Sequence, residues 1–283
     1  MISNFINHKV LHADLLARKD FQIVDTRFDF LDADRGRRDY LSGHIPGAKH
    51  LQLEWDFSAQ PVHHGGRHPL PDKGQFLAIL AATGIDLRRP LVLYDYDFPA
   101  NAARLWWMLT FWLGWRHVLI LDGGMRVWRE AALPLSSEAP ANEDEVDIAS
   151  CQEQPQCYVD MDALVALREE KVHVALVDAR EPERFLAQRE PIDKEAGHIP
   201  GAINFFWQSA FSNDGKLLPA GSLEQCLGNL AHFDEVIVYC GSGVTACSVI
   251  LALDELGHRG ARLYPGGWSD WISYPELPRV PAK

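Results

Sequence analysis

The stretch that decides how this chain is read is VIVYCGSGVTAC, Val236 to Cys247. Four apolar residues run into Cys240, a Gly-Ser-Gly-Val-Thr turn follows, and a helical pattern continues through Leu256. A short apolar run closed by a glycine turn reads as a buried parallel strand. The cysteine then falls at the carboxyl end of the strand, where the next helix begins. N–H groups of such a turn point inward, and the helix dipole adds partial positive charge. That field favours thiolate over thiol, and the thiolate is the nucleophile. Gly241 and Gly243 permit positive φ and close backbone approach. The rival reading is a core cysteine, a common burial site for free thiols. The strand-end position and the hydroxyls of Ser242 and Thr245 favour chemistry.

Working outward, the chain states one pattern twice. Val24-Asp25-Thr26-Arg27 precedes GHIPGA at Gly43 to Ala48, a strand at Leu91 to Tyr94, and LDGG at Leu121 to Gly124. Val177-Asp178-Ala179-Arg180 precedes GHIPGA at Gly197 to Ala202, the strand at Val236 to Tyr239, and YPGGW at Tyr264 to Trp268. A period this long marks a duplicated domain rather than a solenoid. In the register of the repeat, Tyr239-Cys240 pairs with Tyr94-Asp95. An aspartate cannot serve as a thiolate nucleophile, so the first copy reads as catalytically silent.

Each copy alternates strand and helix. The first predicts strands at 21–25, 91–94 and 118–121, with helices at 71–83, 100–113 and 125–132. The second predicts helices at 161–171, 223–232 and 244–256, with strands at 174–177 and 236–239. Such alternation gives an α/β fold, a parallel sheet with helices on both faces, and ligands bind at the strands' carboxyl ends. The two units are set at 1–135 and 157–283, joined by a linker at 136–156. The connecting sequence is rich in Pro, Ser, Ala and acidic residues, and its run Glu143-Asp144-Glu145 reads as solvated surface.

At 283 residues the chain has length for about two domains of roughly 150 residues each. A net charge of -12 argues against nucleic acid or an anionic membrane as partner, and an anionic substrate then needs a local positive patch. The first twenty residues carry charges among their apolar positions, unlike a signal peptide. The most apolar stretch, Leu105 to Trp115, is short of the roughly 18 residues of a membrane span. Five cysteines at no regular spacing fit a reduced, cytoplasmic protein.

With these landmarks in place, the chain resembles the two-domain rhodanese family of sulfurtransferases. The motifs are DTRFDF, both GHIPGA copies, GGRHPLP at Gly65 to Pro71, ARLWW at Ala103 to Trp107, CGSGVTA at Cys240 to Ala246, and YPGGWSDW. The resemblance implies two tandem rhodanese-like domains, the first a non-catalytic wall of the cleft. It implies a persulfide on Cys240, sulfur taken from a small-molecule donor, and delivery to cyanide, a thiol or a thioredoxin-like thiol protein. Gly241, Ser242, Gly243, Val244 and Thr245 would bind the sulfur and donor. Arg184 matches the arginine that family members place at the active site; in isolation it would read as a surface ion pair. Arg180 is expected to anchor its own loop, and Arg189 is a weaker second cation.

Donor choice turns on charge. Thiosulfate-preferring animal relatives carry two basic residues after the cysteine; here Gly241 and Ser242 are neutral, as in 3-mercaptopyruvate sulfurtransferases. Mercaptopyruvate-specific relatives carry another arginine after a Glu-Pro pair; here Glu190-Pro191 is followed by Ile192-Asp193. Mercaptopyruvate is the favoured donor and thiosulfate the alternative. That branch also suggests a proton relay from Ser242 through His44 to Asp34, although both GHIPGA histidines, His44 and His198, read equally as turn-ordering groups. Arg67 and His68 are placed at the cleft rim or in a turn. Trp106, Trp107 and Trp128 read as packing; Trp268 reads as core or near the cleft. Cys151, Cys157, Cys226 and Cys247 read as structural. No cofactor or metal is expected, since His63, His64 and His68 lack a carboxylate or cysteine at ligand spacing. Rhodanese-like folds also host phosphatases with Cys, five residues, then Arg, but Ala246 stands where that arginine would be. A non-catalytic binding module is the remaining alternative, and Cys240 argues against it.

Overall fold

Two parallel sheets account for the duplication. The computed structural model describes residues 3–138, 140, 154–169 and 173–281. In the first half, β1 (Phe5–Ile6), β2 (Gln22–Asp25), β3 (Lys49–His50), β4 (Leu91–Tyr94) and β5 (Val118–Leu121) lie in the order β1-β5-β4-β2-β3. In the second, β6 (Val174–Asp178), β7 (Ile203–Asn204), β8 (Glu235–Tyr239) and β9 (Arg262–Leu263) lie in the order β7-β6-β8-β9. Neighbouring strands of both sheets run parallel, and β5-β4-β2-β3 repeats as β9-β8-β6-β7.

Strand parity decides which way each residue faces. On β8 and just past its end, Val238 and Cys240 belong to one apolar cluster, and Ile237 and Tyr239 to another. On β4, Leu91 and Leu93 share the first cluster, while Val92 and Tyr94 join a third. The shared cluster contains residues of both halves, so Cys240 looks toward the other domain. Within it the helices Ala100–Trp107 and Ala246–Glu255 pack together. The outer faces are closed separately around the fully buried Trp128 in the first half and Trp268 and Trp271 in the second. Trp106 and Trp107 are fully buried in the shared core.

The same polar frame is built twice. Asp25 holds Arg27, whose Nη2 donates to Gly43 O; Asp178 holds Arg180, whose Nη2 donates to Gly197 O. Both ion pairs are at most 1% exposed. Removing one partner of such a buried pair costs about 3–5 kcal/mol. Tyr94 and Tyr239 accept N–H bonds from Ile45 and Ile199. The histidines of the two GHIPGA copies do the same work. His44 Nδ1 lies 2.8 Å from Tyr40 O and stacks on Tyr40; His198 Nδ1 lies 2.7 Å from Phe185 O and stacks on Phe185.

Several elements differ from the sequence reading. The expected helix at 100–113 is α-helical to Trp107 and then widens into a π turn, Met108–Trp112. The expected helix at 223–232 is an α-helix over Ala220–Leu227 and a 3-10 turn over Gly228–His232, with the helix-weakening glycine at the junction. Strands of two residues, β1, β3, β7 and β9, are too short to show a period. Glu143-Asp144-Glu145 and Cys151 lie outside the described residues. Among the described residues no helix is long and apolar enough to cross a membrane.

Candidate active site

The loop after β8 is laid against the YPGGW segment. Trp268 N–H donates to Cys240 O at 2.8 Å, and Ser269 N–H to Gly241 O at 2.9 Å. Gly267 sits at φ +62, and a Cβ there would overlap the Cys240 and Gly241 carbonyls. Gly243 sits at φ +73, where a Cβ would overlap the Pro265 carbonyl. These two glycines therefore fix the loop's path. With its carbonyls used in this way, the loop keeps donors free. Among the described residues, no protein acceptor takes the N–H groups of residues 241 to 245. Such a run of unpaired N–H groups suits an anion.

Cys240 is 3% exposed and lines a cavity of about 260 Å³ with Gly241, Ser242, Val244 and Thr245. The first half contributes Phe30, Arg67, His68 and Asn101 to the same cavity, and the second adds Arg184 and Ile192. The site therefore lies between the two domains, as the strand parity requires.

His68, not His44, reaches the loop. Its Nδ1 lies 2.7 Å from Ser242 Oγ. Burial, with Arg67 and Arg104 close by, drives the imidazole down to about 3, so the ring is neutral at physiological pH. The expected relay through His44 and Asp34 is corrected here. Both ring nitrogens of His44 face backbone carbonyls, Nδ1 that of Tyr40 and Nε2 that of Glu138. Asp34 is exposed at the start of the helix Arg35–Ser42, and neither residue lines the cavity. The relay failed because both GHIPGA histidines belong to the repeated frame.

Arg184 is 7% exposed and lines the cavity, as expected. It is not free. Its Nε donates to Glu190, and its Nη2 lies 2.9 Å from both Glu190 Oε1 and Asp193 Oδ2. Arg67 donates from Nη1 to Asp193 Oδ1. Burial lowers the Arg67 guanidinium to about 10, against the attraction of Cys240. Arg180 stays in its frame, and Arg189 is largely exposed, 4.0 Å from Glu181.

Sequence reasoning missed Arg104, inside ARLWW. It is fully buried, donating from Nη1 to Gly243 O at 3.1 Å and from Nη2 to His68 O at 3.2 Å. One first-half cation thus ties the Cys240 loop to the His68 segment. Burial lowers its pKa, opposed by Cys247 and Cys240. Among the described residues no carboxylate forms an ion pair with it. Cys247 is buried behind the loop, its thiol pushed up to about 12 by burial. Cys157 is buried and Cys226 exposed.

The loop after β4 has the same construction and a different occupant. Met125 N–H donates to Asp95 O, and Arg126 N–H to Tyr96 O, as Trp268 and Ser269 do in the second half. The Asp95 carboxylate accepts from the N–H groups of Tyr96, Asn101 and Ala102. Burial raises it to about 7 in spite of these bonds.

Comparison with known proteins agrees with this geometry. The family model described as a rhodanese-like domain matches twice, over residues 10–131 and 160–274. A Pseudomonas aeruginosa protein named as a probable 3-mercaptopyruvate sulfurtransferase is 41% identical over 270 residues, covering 93% of each chain. A Mycobacterium tuberculosis protein, provisionally named thiosulfate sulfurtransferase SseB, is 39% identical over 269 residues, covering 90% of this chain and 89% of that one. Among solved structures, SseA from Escherichia coli, described with 3-mercaptopyruvate sulfotransferases, aligns with a TM-score of 0.80 and 30% identity. That alignment covers 95% of this chain and 100% of SseA.

Proposed function

The chain belongs to the rhodanese-like family and is an enzyme of the sulfurtransferase class; from that premise we propose that it moves sulfane sulfur from 3-mercaptopyruvate to a thiophilic acceptor through a persulfide on Cys240. The observation that carries this reading is Cys240 at a strand end, facing a cavity with Arg184, Arg67 and the His68–Ser242 pair. Catalysis is assigned to the unit at 157–283, with 1–135 as the silent partner and 136–156 as the connection.

In the first step the Cys240 thiolate attacks the donor sulfur. The new S–S bond forms as the donor C–S bond breaks, and its electron pair leaves on the pyruvate enolate. The enolate takes a proton to become pyruvate. The donor's own thiol proton is the one that reaches the enolate, and Ser242 Oγ, oriented by His68 Nδ1 at 2.7 Å, is the hydroxyl placed to relay it. A neutral imidazole is the form that can hold this role at physiological pH. The terminal sulfur carries the negative charge, and the unpaired N–H groups of residues 241 to 245 suit it. In the second step an acceptor nucleophile, cyanide or a thiol including that of a thioredoxin-like protein, attacks the outer sulfur. The S–S pair returns to Cys240 as thiolate.

Mass spectrometry after incubation with 3-mercaptopyruvate tests the first step. An adduct of about 32 Da is expected, absent in Cys240→Ser. Absence of the adduct in the wild type, with either donor, would sink the reading. Thiosulfate remains the second donor to measure, because a 39% identical relative bears that name. A thiosulfate kcat/KM well above that for mercaptopyruvate would reverse the choice of donor.

A further inference from the structure

The arginine pair beside Cys240 already holds a carboxylate. Asp193 Oδ1 meets Arg67 Nη1, and Asp193 Oδ2 lies 2.9 Å from Arg184 Nη2. One carboxylate thus bridges two guanidinium groups, the geometry by which such groups take a carboxylate or oxyanion ligand. The Asp193 side chain is 3% exposed, so the contact is sheltered from water. It also lies at the loop: a Cβ on Gly241 would be 3.5 Å from Arg184 Nη2 and 3.6 Å from Asp193 Oδ2. With Glu190 on Arg184 as well, two carboxylates offset the two cations. A donor anion therefore meets a neutralised site.

We propose that Asp193 is a specificity-determining residue. It occupies the anion seat of Arg67 and Arg184 and competes with anionic sulfur donors. This rests on the sulfur-transfer reading of the Cys240 cavity. A donor must displace Asp193 or bind against its charge, and the penalty grows with donor charge. A dianion such as thiosulfate is penalised more than the 3-mercaptopyruvate monoanion. The displaced side chain has somewhere to go. Asp193 lines a neighbouring cavity of about 430 Å³, and Lys194 lines the same space. Arg67 and Ile192 line both cavities, so Asp193 stands at the partition between them.

The test is Asp193→Asn, which keeps shape and removes charge. The KM for 3-mercaptopyruvate is expected to fall about tenfold, and that for thiosulfate by up to about a hundredfold, following the charge product. The change falls on KM rather than kcat. Asp193→Ser serves if the Asn variant does not fold. Calorimetric titration with inorganic sulfate needs no turnover and should show the same gain in affinity. Unchanged or raised KM values, an equal gain for both donors, or unmoved sulfate affinity would each overturn the proposal. If the wild type takes sulfur from neither donor, the donor reading fails, and the sulfate titration alone decides the role of Asp193.

Discussion

The two strand-end loops share a scaffold and differ in what fills it. After β4 the occupant is the Asp95 carboxylate, fully desolvated and held by the N–H groups of Tyr96, Asn101 and Ala102. After β8 it is Cys240, and the N–H groups of residues 241 to 245 have no protein acceptor among the described residues. An aspartate places its terminal oxygen two bonds beyond Cβ. A cysteine persulfide places its terminal sulfur two bonds beyond Cβ. The silent loop is therefore a fixed carboxylate version of the charged state we propose for the active loop. What separates a plugged nest from a working one is whether the terminal anion can leave.

The strongest way to break this comparison is at the two occupants. Cys240→Ser is expected to lower sulfur transfer at least about a thousandfold, measured as thiocyanate formed from cyanide. Cys240→Asp should be equally inactive yet fold normally, copying the first half; a misfolded product would mean that the loops are not equivalent. Next in size is Arg104→Met. This removes the cation that joins the loop to His68, and single-turnover persulfide formation should slow by about a hundredfold. Ser242→Ala is expected to cost about tenfold in kcat with mercaptopyruvate, whose enolate needs a proton, and less with thiosulfate, whose sulfite leaving group does not. His44→Asn should leave kcat unchanged and cost about 1–2 kcal/mol of stability, because its ring ties backbone carbonyls and stacks on Tyr40 away from the cavity. Loss of turnover there would restore the relay that the geometry argues against.

A pH-dependent effect of similar size concerns Asp95. Its folded pKa, about 7, lies above the ordinary carboxylate value. The native state thus holds this proton more tightly than the unfolded chain. The stability this confers is full below about pH 4 and is lost as pH rises to about 7. Asp95→Asn should remove that decline. Urea unfolding at pH 5 and pH 8 is expected to show a difference smaller than wild type by about 1–3 kcal/mol. An unchanged difference would place the pH dependence elsewhere.

The fold was legible because β2, β4, β5, β6 and β8 are apolar runs with turn signals, and because the landmarks recur. Cys240 was legible for the same reason. The rest depends on contacts between halves that no local pattern carries. His68 reaches Ser242 across 174 positions, and Arg67 reaches Asp193 across 126. Arg104 was hidden by its aromatic neighbours, which read as packing. Two glycines press on the other half: a Cβ on Gly66 would overlap Gly266 O, and one on Gly215 would overlap Asp97 O. Residues common to both copies, His44 and His198 among them, build the frame. At the strand end the copies differ, Cys240 against Asp95, and the proposed chemistry rests on that difference.

Arg104 has a consequence for modularity. The half that carries Cys240 takes the buried cation on Gly243 O from the other half. Expressed alone, it would keep its nucleophile but expose the apolar face around Val249 and Ile250 and lose the strut on Gly243. Inheritance of this activity is therefore indivisible. On the proposed reading the first copy cannot be deleted or exchanged as a spare part, because Arg67 and His68 of the Cys240 cavity belong to it.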